Sequence, residues 1–186
     1  MKIFGKTKLL IILALGLGAW PPASWASLLT SGKAAPNFLV ESGDNQKLSL
    51  DMIRGKVIVL FYESRHVIKK NTALKDELTR FYQAQPANIK NEVFRLVVID
   101  CSKSFGPTAL LWKNGLREHS GKEGFTIYGD WNRKMFTDYQ MKAEDSNFLI
   151  IDKHGIIRYS ATGKIDQGQF EKIKELLLNL VLVQSG

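Results

Sequence analysis

The 186 residues include 26 Lys and Arg against 18 Asp and Glu, a formal charge of +8, and a single cysteine, Cys101. One cysteine excludes an internal disulfide, so stability has to come from a packed core. The basic residues are scattered rather than stacked along one helix or interleaved with aromatics, which speaks against a nucleic-acid partner, and the length suits one domain.

The chain opens with Lys2, Lys6 and Lys8, continues with an apolar run from Leu9 to Trp20, and then offers small residues at Ser24 and Ala26. This order predicts a cleavable secretory signal over residues 1–26 and a periplasmic or secreted protein. The apolar run is far shorter than the roughly twenty residues a membrane-spanning helix needs. No cysteine follows it to carry a lipid, so no stable membrane anchor is expected after cleavage. Losing the three lysines would lower the formal charge to +5.

Residues 27–46, rich in Ser, Gly, Ala and Asn, read as an extended lead-in to a domain spanning 47–186. Lys47 to Leu50 reads as a short strand. Val57 to Tyr62 is a continuous β-favouring apolar run, the pattern of a strand covered on both faces. From Asn71 onward Leu74, Leu78, Phe81 and Tyr82 recur at helical spacing until Pro86. Phe94 to Ile99 repeats the buried-strand pattern and ends in Asp100-Cys101. Pro107 opens a second helix carrying Leu110, Leu111 and Trp112, with Gly115 placed to end or interrupt it. Phe125 to Tyr128 reads as a third core strand, followed by a turn at Gly129-Asp130. Phe148 to Ile151 and Ile156 to Ser160 form a hairpin about Asp152-Lys153-His154-Gly155. Asp166 with Gln169 forms a capping box before a helix that aligns Phe170, Ile173, Leu177 and Leu180. Strands alternating with helices, then a hairpin and a closing helix, predict an α/β fold: a mixed central sheet with helices on both faces, in three layers.

Three landmarks carry a resemblance: Ala35-Pro36-Asn37-Phe38, Arg54-Gly55-Lys56 leading into Val57 to Tyr62, and Phe148 to Gly155. Together they resemble the TlpA-type thiol reductases and the peroxiredoxins of the thioredoxin-like superfamily. Gly55-Lys56-Val57, Asn71-Thr72-Ala73-Leu74, Asp145-Ser146 and Asp152-Lys153-His154-Gly155 resemble the YtfJ-like periplasmic proteins, a thioredoxin-fold group without an assigned activity. The resemblance implies a redox site of two cysteines after the first core strand, at the amino end of a helix that would stabilise a thiolate. Here His66 stands where the attacking thiolate would be and Lys69 where the resolving one would be. Positions 63–73 hold no cysteine for a peroxidase either. The relatives' cis-proline corresponds to Ser146, where a cis peptide would cost about 3 kcal/mol, so a trans bond is expected.

The candidate residues follow. Arg65, His66, Lys69 and Lys70, with Ser146 opposite, form a basic cluster at the start of the first helix. It reads either as a docking place for a small anion or an acidic envelope protein, or as solvated loop. Cys101, at the carboxyl edge of the sheet, reads either as a single reactive thiol or as a buried small residue. Tyr128, Trp131, Phe136 and Tyr139 read as partner anchors or as core. The three histidines, His66, His119 and His154, lie too far apart in sequence to suggest a metal site, and no cofactor is expected. The function that fits is a non-catalytic binding or accessory module of the cell envelope. The alternative is a one-cysteine thiol oxidoreductase or redox sensor acting through Cys101.

Overall fold

The computed structural model describes residues 29–182, so the expected signal segment at 1–26 lies outside the described residues. Seven strands form one mixed sheet: β1 Leu39–Ser42, β2 Lys47–Ser49, β3 Val57–Glu63, β4 Val93–Asp100, β5 Ile127–Asp130, β6 Asn147–Ile151 and β7 Ile157–Thr162. Their spatial order is β2-β1-β5-β4-β3-β6-β7. The central strands β3, β4 and β5 run parallel, and β6 lies antiparallel beside β3 with Tyr62 opposite Asn147. Five helices complete the fold: α1 Thr72–Gln83, α2 Ala87–Glu92, α3 Pro107–Glu123, α4 Lys134–Asp138 and α5 Gln167–Leu182.

Alternation along β3 divides the core. Ile58, Leu60 and Tyr62 face one way, into Leu96, Val98, Met135 and Tyr139, with Phe38 and Val40 from the amino-terminal segment. Val57, Val59 and Phe61 face the other way, onto Leu74 and Leu78 of α1 and Phe170, Ile173 and Leu177 of α5. A smaller cluster of Ile99, Cys101, Leu116 and Ile127 lies beneath α3. The three layers and the helices on both faces agree with the sequence expectation.

Several boundaries differ from it. Residues 39–42 of the expected lead-in are strand β1, paired with both β2 and β5. Its polar Ser42 is buried because its hydroxyl accepts the amides of Asp44 and Gln46, so an inward position does not look apolar in sequence. Gly115 neither ends nor interrupts α3, which stops instead at Gly124 with φ +71°. Leu110 and Leu111 point outward, and the buried residue of α3 is Leu116. Gly129 and Asp130 are buried strand residues of β5 rather than a turn. The short helices α2 and α4 carry too few apolar residues to show a helical period. No helix among the described residues is long and apolar enough to cross a membrane.

Candidate functional site

Strand β3 delivers Glu63, with no solvent exposure, to the carboxyl edge of the sheet. The chain then turns through residues 64–70 before α1 begins at Thr72, so Arg65 to Lys70 precede the helix rather than form its first turn. The basic cluster expected at the start of the first helix lies in the turn that leads into α1, ending directly before its cap residue Asn71. The antiparallel pairing of β6 with β3 brings Ser146 against Glu63 from the other side.

Beneath the turn that carries His66 and Lys69 lies a polar network. Lys75 of α1 places its ammonium 2.6 Å from Glu63 Oε2, and the same group donates to the Ile68 carbonyl at 2.9 Å and lies 5.2 Å from the Phe61 ring centre. Ser146 Oγ donates to Glu63 Oε1 at 2.7 Å. Asn71 Nδ2 donates to Ser146 Oγ at 3.0 Å and to the Gly163 carbonyl at 2.8 Å, while its Oδ1 accepts the Ile165 amide at 3.0 Å. Every hydrogen-bonding atom of the Asn71 amide thus has a partner, which is what a buried amide requires. Asp145 caps the network, accepting from the Ser146 amide and pairing with Lys70 and Lys142. Burial alone would push the Asp145 carboxyl up, but Lys70, Lys142 and the Ser146 amide outweigh it and hold it below the ordinary range. The peptide bond before Ser146 is trans.

Of the five expected binding residues, the structure brings together Lys70 and Ser146, through Asp145, and both are already engaged. Arg65 turns away, its guanidinium 5.8 Å from the Trp112 ring. His66 and Lys69 are exposed, and their side chains find no partner among the described residues. Sequence reasoning missed Glu63, Asn71, Lys75 and Asp145. An acid closing a wholly apolar strand was a legible signal at Glu63, but nothing in the order of residues names Lys75 as its counter-ion.

Cys101 is fully buried. Its sulfur packs so tightly on β5 that a methyl group at Gly129 would lie 2.9 Å from it. Burial first, then the Asp100 and Asp130 carboxylates, push the thiol up to about 12, far from the thiolate a nucleophile needs. Asp130 itself is buried, with Oδ2 accepting from Tyr62 Oη and the Phe136 amide at 3.0 Å each. Burial raises its carboxyl despite those bonds. In the aromatic segment Tyr128 and Tyr139 are core, Phe136 packs against that core, and Trp131 donates its indole N–H to the Glu41 carbonyl.

The sheet order and the helix layers define a thioredoxin-like protein of the redoxin type, in a chain with a single cysteine. Residues 31–160 match the AhpC/TSA family, and the chain belongs to it. Among curated proteins no relative matches. Among solved structures the chain is similar to a protein provisionally assigned as thiol:disulfide interchange protein DsbE from Chlorobium tepidum, at 15% identity and TM-score 0.60, covering 83% of this chain and 99% of that one. A thiol peroxidase from Chromobacterium violaceum is similar at 15% identity and TM-score 0.57, with 82% and 88% covered. The thioredoxin domain of a thiol-disulfide oxidoreductase from Bacteroides vulgatus is similar at 13% identity and TM-score 0.59, with 80% and 99% covered. At these identities the likeness carries the fold alone.

Proposed function

We propose that the chain is an exported accessory module of the cell envelope that binds a partner protein rather than catalysing thiol chemistry. The observation that supports this most is that the carboxyl end of β3 leads into a Glu63–Lys75–Ser146–Asn71 network whose groups form no mixed disulfide, while Cys101 is the chain's single cysteine. Cys101 offers no substitute, being buried and weakly acidic. Above the network the surface is basic at Arg65, His66 and Lys69. Through the Arg65–Trp112 contact it adjoins the amino-terminal part of α3, where Leu110 and Leu111 are 61% and 69% exposed, and Phe105 just before the helix is 78% exposed. Large exposed apolar side chains beside cations suit a protein partner with an acidic edge around an apolar contact. Export is read from residues 1–26 and from the resemblance to YtfJ-like periplasmic proteins.

The test has two parts. The purified protein is expected to neither reduce insulin disulfides nor consume hydroperoxide, and an activity that survives Cys101→Ser would overturn the non-catalytic reading. Pull-down from envelope extract is expected to recover one stoichiometric partner that is lost with Arg65→Glu and Lys69→Glu together. Undiminished recovery by that variant would remove the surface from consideration.

A further inference from the structure

Strand β4 presents Val93, Arg95, Val97 and Ile99 to the same side of the sheet, so a guanidinium interrupts an apolar row on a central strand. Arg95 lies beside Val59 in the parallel pairing of β3 and β4. Its guanidinium carbon is 4.8 Å from the Tyr82 ring centre and 4.6 Å from that of Phe125. Aromatic faces attract the cation but accept none of its in-plane hydrogen bonds, and Arg95 has no carboxylate or carbonyl partner among the described residues.

The side chain borders a cavity of about 210 Å³ that opens where α1 and α3 stand apart over the sheet. Val59, Phe61, Val97 and Ile99 form its floor, with Leu78 and Leu116 on the helix sides. The Lys75–Glu63 pair closes one end, and its charges are already spent on each other. Asp76, His119 and Glu123 border it as well and are exposed.

The geometry points to a ligand site in this cleft for a small monocarboxylic acid with an apolar body, its carboxylate held by the edge of the Arg95 guanidinium. A guanidinium fork matches a carboxylate in two parallel hydrogen bonds, while rings stacked on it restrict its rotation. The volume exceeds the roughly 150 Å³ cavity that accepts benzene, so one ring and a short acid chain fit. A phosphate or dicarboxylate fits worse, because among the described residues of the lining Arg95 is the guanidinium or ammonium group without a carboxylate partner, while Asp76 and Glu123 add like charge. This site adjoins the loop of Arg65 and Lys69, since Ile68 borders the cavity, but the assignment does not rest on the partner surface.

Titration calorimetry of the purified protein with 3-phenylpropionate tests the assignment. Saturable binding is expected, weakened about tenfold or more with neutral 3-phenylpropionamide, since the charge-assisted pair is lost. Phenylsuccinate, a dianion of similar shape, is expected to bind more weakly than the monoacid. Arg95→Met, which keeps the apolar stem, should lose the preference for acid over amide, and Thr79→Phe should fill the cleft and abolish binding while sparing partner recovery. No binding of 3-phenylpropionate at millimolar concentration, or equal binding of acid and amide by the unmodified protein, would overturn the site without involving any variant.

Discussion

Lys75, near the start of α1, holds its ammonium 2.6 Å from the carboxylate of Glu63, a residue with no exposure at the end of β3. Removing one member of a buried pair leaves the other charge without compensation, whereas removing both charges can be nearly neutral. Lys75→Met is therefore expected to cost about 3 kcal/mol or more in urea unfolding, and the double change with Glu63→Gln should restore most of it. A single-variant loss within about 0.5 kcal/mol would show that the pair is not a structural requirement.

Cys101 should resist iodoacetamide in the native protein at neutral pH and react once the chain is unfolded. Its thiol is raised from 9.0 to about 12 on folding, so the folded state holds its proton more tightly. The associated stability is complete below pH about 9 and is lost as pH rises toward 12. Unfolding followed between these limits should show Cys101→Ala flattening the alkaline decline. Fast native labelling at pH 6 would restore the one-thiol alternative.

Asp152 turns the β6–β7 hairpin by accepting the His154 and Ile156 amides at 2.9 Å each and pairing with Arg158 at 2.6 Å. Burial raises its carboxyl, but the Ile156 amide, Arg158 and the His154 amide prevail and hold it below the usual range. The unfolded chain then binds the proton more readily, so this contribution is present above pH about 4 and fades as pH falls further. Asp152→Asn should cost about 1–3 kcal/mol at neutral pH and much less near pH 3. An equal loss at both pH values would mean that charge plays no part in the turn.

Two glycines should respond oppositely to alanine. Gly115 lies inside α3 with open space around the missing Cβ, so Gly115→Ala should raise stability by roughly 0.5–1 kcal/mol. At Gly129 the added methyl would meet Cys101 Sγ at 2.9 Å and Trp131 Nε1 at 2.9 Å, so the same change should destabilise the fold and disturb Trp131 fluorescence. Thermal melts of the two variants decide both, and a stabilising Gly129→Ala would contradict this packing.

Local physics explains what was legible. The β3 run, the hairpin turn and the α5 capping box are set by near neighbours, and the box forms as written, with the Asp166 amide donating to Gln169 and the Gln169 amide donating to Asp166. Strand β1 and helices α2 and α4 were hidden because their positions depend on partners remote in sequence. Leu110 and Leu111 show the reverse case, apolar residues at helical spacing that the fold leaves outside.

The amino-acid order by itself determined the layer architecture and excluded dithiol chemistry within the chain, because hydrophobic periodicity and the presence of a single cysteine need no coordinates. Only the tertiary structure decided that Cys101 is sealed, that Lys70 and Ser146 are already engaged, and that Lys75 neutralises Glu63. Those outcomes depend on burial and on distances between groups as many as 83 residues apart, as for Ser146 and Glu63. Chain order carries neither quantity; packing creates both.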